Sequence, residues 1–301
     1  MGHPRLDELV ARARVAAGDA PPRLALVWPC DALAAEAAQA IADAGIARPV
    51  LFGPAARLGA LAGRFEHVDT PDEPAAAARA AVLAAREGRV AALMKGSLHT
   101  DELMSAVVAR DTGLRGARRI SHVFLFDLPR YPKLLALADC VVNIAPDLKT
   151  KQHILANALD LLRALGTAAP KVGIVTAVET VNPAIPATLD ARELVALADA
   201  GEFGAAIVEG PFGFDNAYSA EAARIKGLSS RVAGDADLLL MPDLNAGNML
   251  YKSFVYVAGG DCAGLVLGAR VPIVLTSRAD SAQARLASAA LAVLTSTGGA
   301  G

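Results

Sequence analysis

The chain alternates short, nearly continuous apolar runs with longer Ala-rich stretches whose apolar residues recur at helical spacing. Residues 5–19 open it as a helix, with Leu6, Leu9, Val10 and Ala13 on one stripe. Leu24–Trp28 follows as a strand stopped by Pro29. Asp31 caps the next helix, which runs to Asp43 and ends at Gly45. Pro49–Phe52 is a second strand, and the Thr70–Pro74 loop leads into a helix that closes at Glu87 and Gly88. Val90–Met94 is the third strand, a helix begins near Glu102, and Val123–Phe126 is the next strand. Ala138–Asp147 reads as a short strand emerging into a polar loop, before a helix over 151–165. Beyond Lys171 the rhythm continues with strand Val172–Ala177, helix Asp190–Ala200, strand Ala205–Val208, strand Asp237–Met241, helix Met249–Ala258 and strand Cys262–Leu267. Ile273–Leu275 is the last strand, and a helix runs from Ser281 to Leu294. Strands separated by helices of about ten or more residues indicate βαβ units, hence an α/β fold with parallel sheets.

Composition narrows the class. Apolar residues make up 54% and aromatics 4%, so Ala, Val and Leu must build the core. That mixture suits buried parallel strands under Ala-rich helices. A length of 301 residues corresponds to about two domains. The net charge of -2 gives a nucleic acid or an anionic membrane no electrostatic hold. Apolar runs break at Arg, Asp or Gly before the ~18 residues that a membrane span needs. The N-terminus lacks a charged-then-apolar signal pattern. Cys30, Cys140 and Cys262 are an odd, scattered set that fits a reducing cytoplasm better than a disulfide framework or a metal knuckle.

The candidate chemistry gathers at strand ends. Between the last strand and the last helix lies Thr276-Ser277-Arg278-Ala279-Asp280. A strand running into a helix start leaves backbone N–H groups aimed forward, where an anion is favoured, and Arg278 adds a planar fork of donors suited to phosphate. Ser277 and Asp280 also fit the S-x-x-D capping box, which stabilises a helix start with no ligand. The third strand ends in Lys95-Gly96-Ser97, where Gly96 permits close backbone approach and Lys95 and Ser97 offer polar contacts. An ordinary loop before a helix cap explains the same residues. Arg115, Arg118 and Arg119 form a basic cluster that serves either as a solvated face or for a phosphate-rich ligand. His99 has no His, Cys or carboxylate at ligand spacing, so no metal site is read. Neither a dinucleotide fingerprint, a P-loop nor a G-x-S-x-G elbow is present.

Longer motifs add a resemblance. Met94-Lys95-Gly96, Gly113-Leu114-Arg115, Asn143–Lys149, Pro170–Thr188, Gly210–Ala217, Val232–Met241, Ala246–Lys252 and Leu275–Ser281 occur in a fixed order over nearly all the chain beyond about residue 90. In these stretches the chain closely resembles the phosphate acetyl/butyryl transferases, nearest to the phosphate butyryltransferase branch. The resemblance implies two α/β domains with a cleft between them, similar to isocitrate and isopropylmalate dehydrogenases. One domain would take 1–124 with 266–301, and the other 125–265. It also implies a cytoplasmic homodimer catalysing acyl-CoA + phosphate ⇌ acyl phosphate + CoA, with CoA and phosphate as substrates and with no metal or redox cofactor.

By the same resemblance, Arg278 binds phosphate and polarises the carbonyl, while Ser277 donates to the oxyanion or the thiol sulfur. Some relatives carry an Asp seven residues after that Ser as the thiol base. Here the position is Ala284, and Asp280, one helical turn earlier, becomes the substitute. Lys95, Gly96, Ser97, Arg115, Asp243, Asn248 and Tyr251 are the expected substrate-binding residues. Cys140 is read as a packing residue. Two other functions remain open at this point: a catalytically silent CoA or acyl-phosphate binding protein, and a metal- and NAD-dependent dehydrogenase of the same fold.

Overall fold

The computed structural model describes residues 2–277 and 279–297. The chain divides into two compact units, one holding Gly2–Ile120 and the chain from Cys262 onward, the other Ser121–Asp261. The first unit begins with α1 (Pro4–Ala17), β1 (Arg23–Val27), α2 (Ala32–Asp43), β2 (Arg48–Phe52), α3 (Ala55–Leu58), β3 (Glu66–Val68), α4 (Pro74–Arg86), β4 (Ala92–Lys95) and α5 (Thr100–Val107). The second contains β5 (Ser121–Asp127), β6 (Leu135–Ala138), α6 (Leu148–Ala164), β7 (Lys171–Val175), α7 (Pro186–Asp199), β8 (Ile207–Phe212), α8 (Phe214–Tyr218), α9 (Ala220–Ile225), β9 (Leu238–Leu240) and α10 (Leu244–Tyr256). The chain then returns to the first unit through β10 (Asp261–Leu267), β11 (Ile273–Val274) and α11 (Ala282–Thr297).

Strand order in the first unit is β3-β2-β1-β4-β11-β10, and in the second β5-β6-β9-β7-β8. The helical crossovers make most neighbours parallel, as the alternating pattern predicts. The expectation of purely parallel sheets is corrected at two places: β5 pairs with β6, and β10 with β11, in antiparallel fashion. Residues 128–134 and 268–272 join these pairs with no helix between them, and so short a link can only turn the chain back. Strand β1 is buried at Leu24, Ala25, Leu26 and Val27, the continuous burial of a strand covered on both faces. At the chain ends α1 packs on α11, tied by Gln283 Nε2 donating to Asp7 Oδ1 at 2.6 Å.

Several boundaries move for identifiable reasons. The strand expected to start at Ala138 is Leu135–Ala138 and stops where that reading began. The Asp139 carboxylate accepts from the backbone N–H groups of Val141 (2.8 Å), Val142 (3.0 Å) and Asn143 (3.3 Å), winding the chain into a turn. Helix α6 begins at Leu148 instead of 151 because Asp147 caps it, accepting from Thr150 N at 2.8 Å. Helix α7 starts at Pro186, a residue suited to a first helical turn, ahead of the expected Asp190. Strand β8 runs through Gly210 and Pro211 to Phe212, beyond the expected stop at Val208. It is an edge strand, where a missing N–H is tolerated. Helix α10 starts at Leu244 instead of Met249, capped by Asp243, which accepts from Ala246 N at 3.0 Å. Gly247 therefore sits inside the helix, where a Cβ would come within 2.5 Å of the Asp139 carbonyl. The helix rests directly on the Asp139 turn.

His122 lies fully within the second unit, against Phe124 (ring centroids 4.3 Å apart), and neither ring nitrogen has a hydrogen-bond partner. Burial pushes its pKa down to about 4, opposed by the nearby Asp139 carboxylate. The folded chain thus refuses a proton that the unfolded chain takes up below about 6.5. Stability therefore falls as the pH drops from about 6.5 toward 4. We expect urea unfolding to show a loss on the order of 2 kcal/mol between pH 7 and pH 5 from this group. His122→Phe should remove that share of the pH dependence. An unchanged slope would mean His122 is not the titrating group.

Candidate active site

Strand β1 is parallel to β4, and β11 is parallel to β4 with Ile273 opposite Leu93 and Val274 opposite Met94. The carboxyl ends of these three strands therefore lie together, the usual place for a ligand in a parallel sheet. At the end of β4 the backbone presses against the end of β1. Gly96 N donates to the Val27 carbonyl at 2.8 Å and Ser97 N to the Trp28 carbonyl at 2.9 Å. The Ser97 hydroxyl donates to the same Trp28 carbonyl at 2.8 Å and accepts from Cys30 N at 3.2 Å. Cys30 N also reaches the Trp28 carbonyl, at 2.9 Å. Trp28 has φ 56°, the one positive φ outside glycine among the described residues, and that conformation costs a bulky residue ~1–2 kcal/mol. The donors converging on its carbonyl hold it there. A Cβ at position 96 would lie 2.6 Å from the carbonyl oxygens of both Val27 and Trp28, so glycine is the residue that lets the two strand ends meet.

The β11 side is a closed turn. Ser277 N donates to Asp280 Oδ2 at 2.7 Å, Asp280 N returns to the Ser277 carbonyl at 3.2 Å, and Ala279 N donates to Ser277 Oγ at 3.2 Å. The expected capping box is thus a turn placed before the helix. The cap of α11 is Ser281, whose Oγ accepts from Ala284 N at 2.9 Å. Asp280 precedes α11 and does not share a helical face with Ala284, which corrects the one-turn relation expected from spacing. Arg278 lies outside the described residues.

Lys95, Gly96 and Ser97 from the end of β4 and Thr276 and Ser277 from the end of β11 line one hollow. Asp31 and Arg285 also line it, together with the apolar Leu26, Leu33, Ala34, Ala37 and Met94. The space open to the centres of water-sized groups is about 30 Å³. Asp31 is committed to its cap, accepting from Ala34 N at 2.8 Å. Lys95 Nζ donates to the carbonyls of Gly96 (3.1 Å) and Leu98 (3.2 Å), which keeps its ammonium over the loop. Arg285 was not expected from the sequence. The signal was there: it is the single charge in an Ala-rich helix and is 8% exposed, flanked by buried Ala284 and Ser288.

The remaining expected residues lie elsewhere. Arg115 belongs to the first unit but does not line the hollow. It is exposed, bridges its backbone to Ala269, and donates from Nε to the Val108 carbonyl. Asp243, Asn248 and Tyr251 belong to the second unit. Asp243 is the α10 cap, Asn248 Nδ2 donates to the Cys140 carbonyl at 3.2 Å, and Tyr251 stacks on Phe124 at 4.3 Å between centroids. Cys140 is fully buried, and neither it nor Cys30 nor Cys262 is in a disulfide. Among the described residues no group of His, Cys, Asp and Glu is gathered to hold a metal ion, and no helix is long and apolar enough to cross a membrane.

Comparison with known proteins shows what the chain is similar to. The family described as "Phosphate acetyl/butaryl transferase" matches residues 65–293. A phosphate acetyltransferase of Rhizobium meliloti is 50% identical over 297 residues, covering 96% of this chain and 93% of that protein. A probable phosphate butyryltransferase of Bacillus subtilis is 42% identical, covering 83% of this chain and 85% of its own length. The crystal structure of a branched-chain phosphotransacylase from Enterococcus faecalis aligns with a TM-score of 0.81 at 29% identity, covering 91% of this chain and 99% of that one.

The Ser97 hydroxyl commits both its donor and one acceptor site to the end of β1, which makes it a fastener of the two strand ends. Ser97→Ala should lower the unfolding free energy by about 1 kcal/mol, measured by urea titration. An unshifted midpoint would show that the hydroxyl fastens nothing.

Proposed function

The chain belongs to the phosphate acetyl/butyryl transferase family, and we propose that it runs the reversible transfer of a short acyl group between CoA and phosphate at the hollow between the ends of β4 and β11. The observation that carries this placement is the meeting of Lys95, Gly96 and Ser97 with Thr276 and Ser277 around one small, half-apolar space. A phosphate oxygen attacks the thioester carbonyl carbon, an oxyanion forms, the C–S bond breaks, and CoA leaves as thiolate. In the reverse direction the thiol must give up its proton, and its carbonyl target is the acyl phosphate.

Two tasks dominate such a step: holding the anionic nucleophile close and stabilising charge on the carbonyl oxygen. Arg278 takes the first, as a bidentate donor to phosphate. Ser277 takes the second. Its Oγ accepts from Ala279 N, and a hydroxyl that accepts there still has its proton to donate to an oxyanion. The carboxylate of Asp280, fixed by the Ser277 N–H, is the candidate thiol base in place of the missing carboxylate at Ala284. Gly96 gives close approach, and Lys95 supplies positive charge beside the reacting groups. Asp243, Asn248, Tyr251 and Arg115 remain proposed contacts for the rest of CoA.

We also read the enzyme as a cytoplasmic homodimer that uses neither metal nor redox cofactor. Three cysteines that stand outside any disulfide support a reducing compartment.

Phosphorolysis of short acyl-CoAs, followed as free thiol, tests the function. Thiol release should depend on phosphate, and Arg278→Ala should lower kcat/KM about a hundredfold or more, roughly 3 kcal/mol of transition-state stabilisation. A near-normal rate in that variant would remove Arg278 from the chemistry.

A further inference from the structure

Resting on the reading of Asn248 and Tyr251 as contacts for CoA, we propose that Asp139 is the positioning residue that sets where both stand. Strand β6 is parallel to β9, with Ala138 opposite Leu240, so Asp139 and the start of α10 leave the sheet at neighbouring carboxyl ends. Asp139 is 2% exposed. Its Oδ1 accepts from Val141 N at 2.8 Å and Val142 N at 3.0 Å. Its Oδ2 accepts from Asn143 Nδ2 at 2.6 Å, and from the backbone N–H groups of Asn143 and His122, each at 3.3 Å. Successive N–H groups turned toward one point form a nest for an anion, and here the chain's own carboxylate fills it. Burying a carboxylate is costly unless donors replace its water, and these N–H groups do so.

The turn is the seat of α10. A Cβ at Gly247 would lie 2.5 Å from the Asp139 carbonyl, so helix and turn meet backbone to backbone. One residue on, Asn248 Nδ2 donates to the Cys140 carbonyl at 3.2 Å. Tyr251 stacks on Phe124, and Phe124 packs on His122, each pair with ring centroids 4.3 Å apart. His122 N then leads back to Asp139 Oδ2. The contacts close a ring through the carboxylate, β5, Tyr251, α10 and the turn. The two oxygens divide the work. Oδ1 serves only the turn, while Oδ2 reaches outside it to β5. A carboxylate that merely wound the turn would need Oδ1 alone.

Asp139→Asn separates the two roles. Its amide oxygen can still accept from Val141 and Val142, while its NH2 group meets the donors of His122 and Asn143, and donors cannot pair with donors. The measurement is steady-state kinetics of the full chain, with acetyl-CoA and phosphate varied independently. We expect Asp139→Asn to raise KM for acetyl-CoA about tenfold, with kcat and KM for phosphate changed less than about threefold. A smaller active fraction alone would lower kcat and leave KM where it was. Asn248→Ala should raise the same KM, and the double variant should add little to the larger single effect, because both act on one contact set. Gly247→Ala, which lifts α10 from the turn but keeps the carboxylate, should reproduce the KM rise, and it carries the test if Asp139→Asn does not fold. An unchanged KM for acetyl-CoA in folded Asp139→Asn, or failing that in Gly247→Ala, would overturn the inference and leave acyl transfer standing. So would an unchanged KM in Asn248→Ala, or single effects that multiply in the double variant. Absence of turnover by the wild type would instead contradict the proposed function, and the inference would fall with it.

Discussion

The Trp28 carbonyl is the point on which the candidate site depends. It accepts from Ser97 N, Ser97 Oγ and Cys30 N, and it is turned into place by a left-handed backbone that a tryptophan adopts only under constraint. The glycine at 96 makes this possible, because any side chain there would collide with backbone carbonyls that cannot swing away. The contact fixes where β4 stops relative to β1. Since β11 pairs with β4, it also fixes where Thr276 and Ser277 stand relative to Lys95. A local shortage of space, imposed by backbone on backbone, thus sets the geometry of the candidate site.

A division of labour follows. Groups that hold the strand ends together are already hydrogen-bonded: Ser97 to β1, Asp31 to the start of α2, and Lys95 to its own loop. The Ser277–Asp280 turn is also closed on itself, through the Ser277 N–H and the Asp280 carboxylate, while the Ser277 hydroxyl accepts from Ala279 N. Anchoring residues and the residues proposed to react are neighbours in space and differ in what their polar atoms are committed to. Apolar side chains of β1, α2 and β4 line the same hollow as these polar groups.

Much of this was legible in the chain. The period of apolar runs located the strands and the Ala-rich helices, because buried parallel strands and their covering helices each leave a local signature. What local pattern could not show was pairing direction, which depends on link length. It also missed the helix starts at Leu244 and Leu148, where a single Asp cap outweighed helix-poor residues nearby. Strand β3 escaped notice because Glu66–Val68 is a partly exposed edge without an apolar run. Of the residues lining the candidate site, Lys95, Gly96, Ser97 and Ser277 were legible from strand-end position and motif. The role of Ser97 as a fastener was not, since its partners Trp28 and Cys30 are distant in sequence. Nor was the burial of Arg285 within an otherwise apolar helix.

The contact between Gly96 and the end of β1 can be broken by one methyl group. The kcat/KM of Gly96→Ala for phosphate-dependent thiol release from acetyl-CoA, measured on folded protein, tests the account most directly. A Cβ placed 2.6 Å from two backbone carbonyls must separate the strand ends, so kcat/KM should fall about tenfold or more. A Gly96→Ala enzyme with wild-type kcat/KM would show that the meeting of β4 with β1 does not set the site.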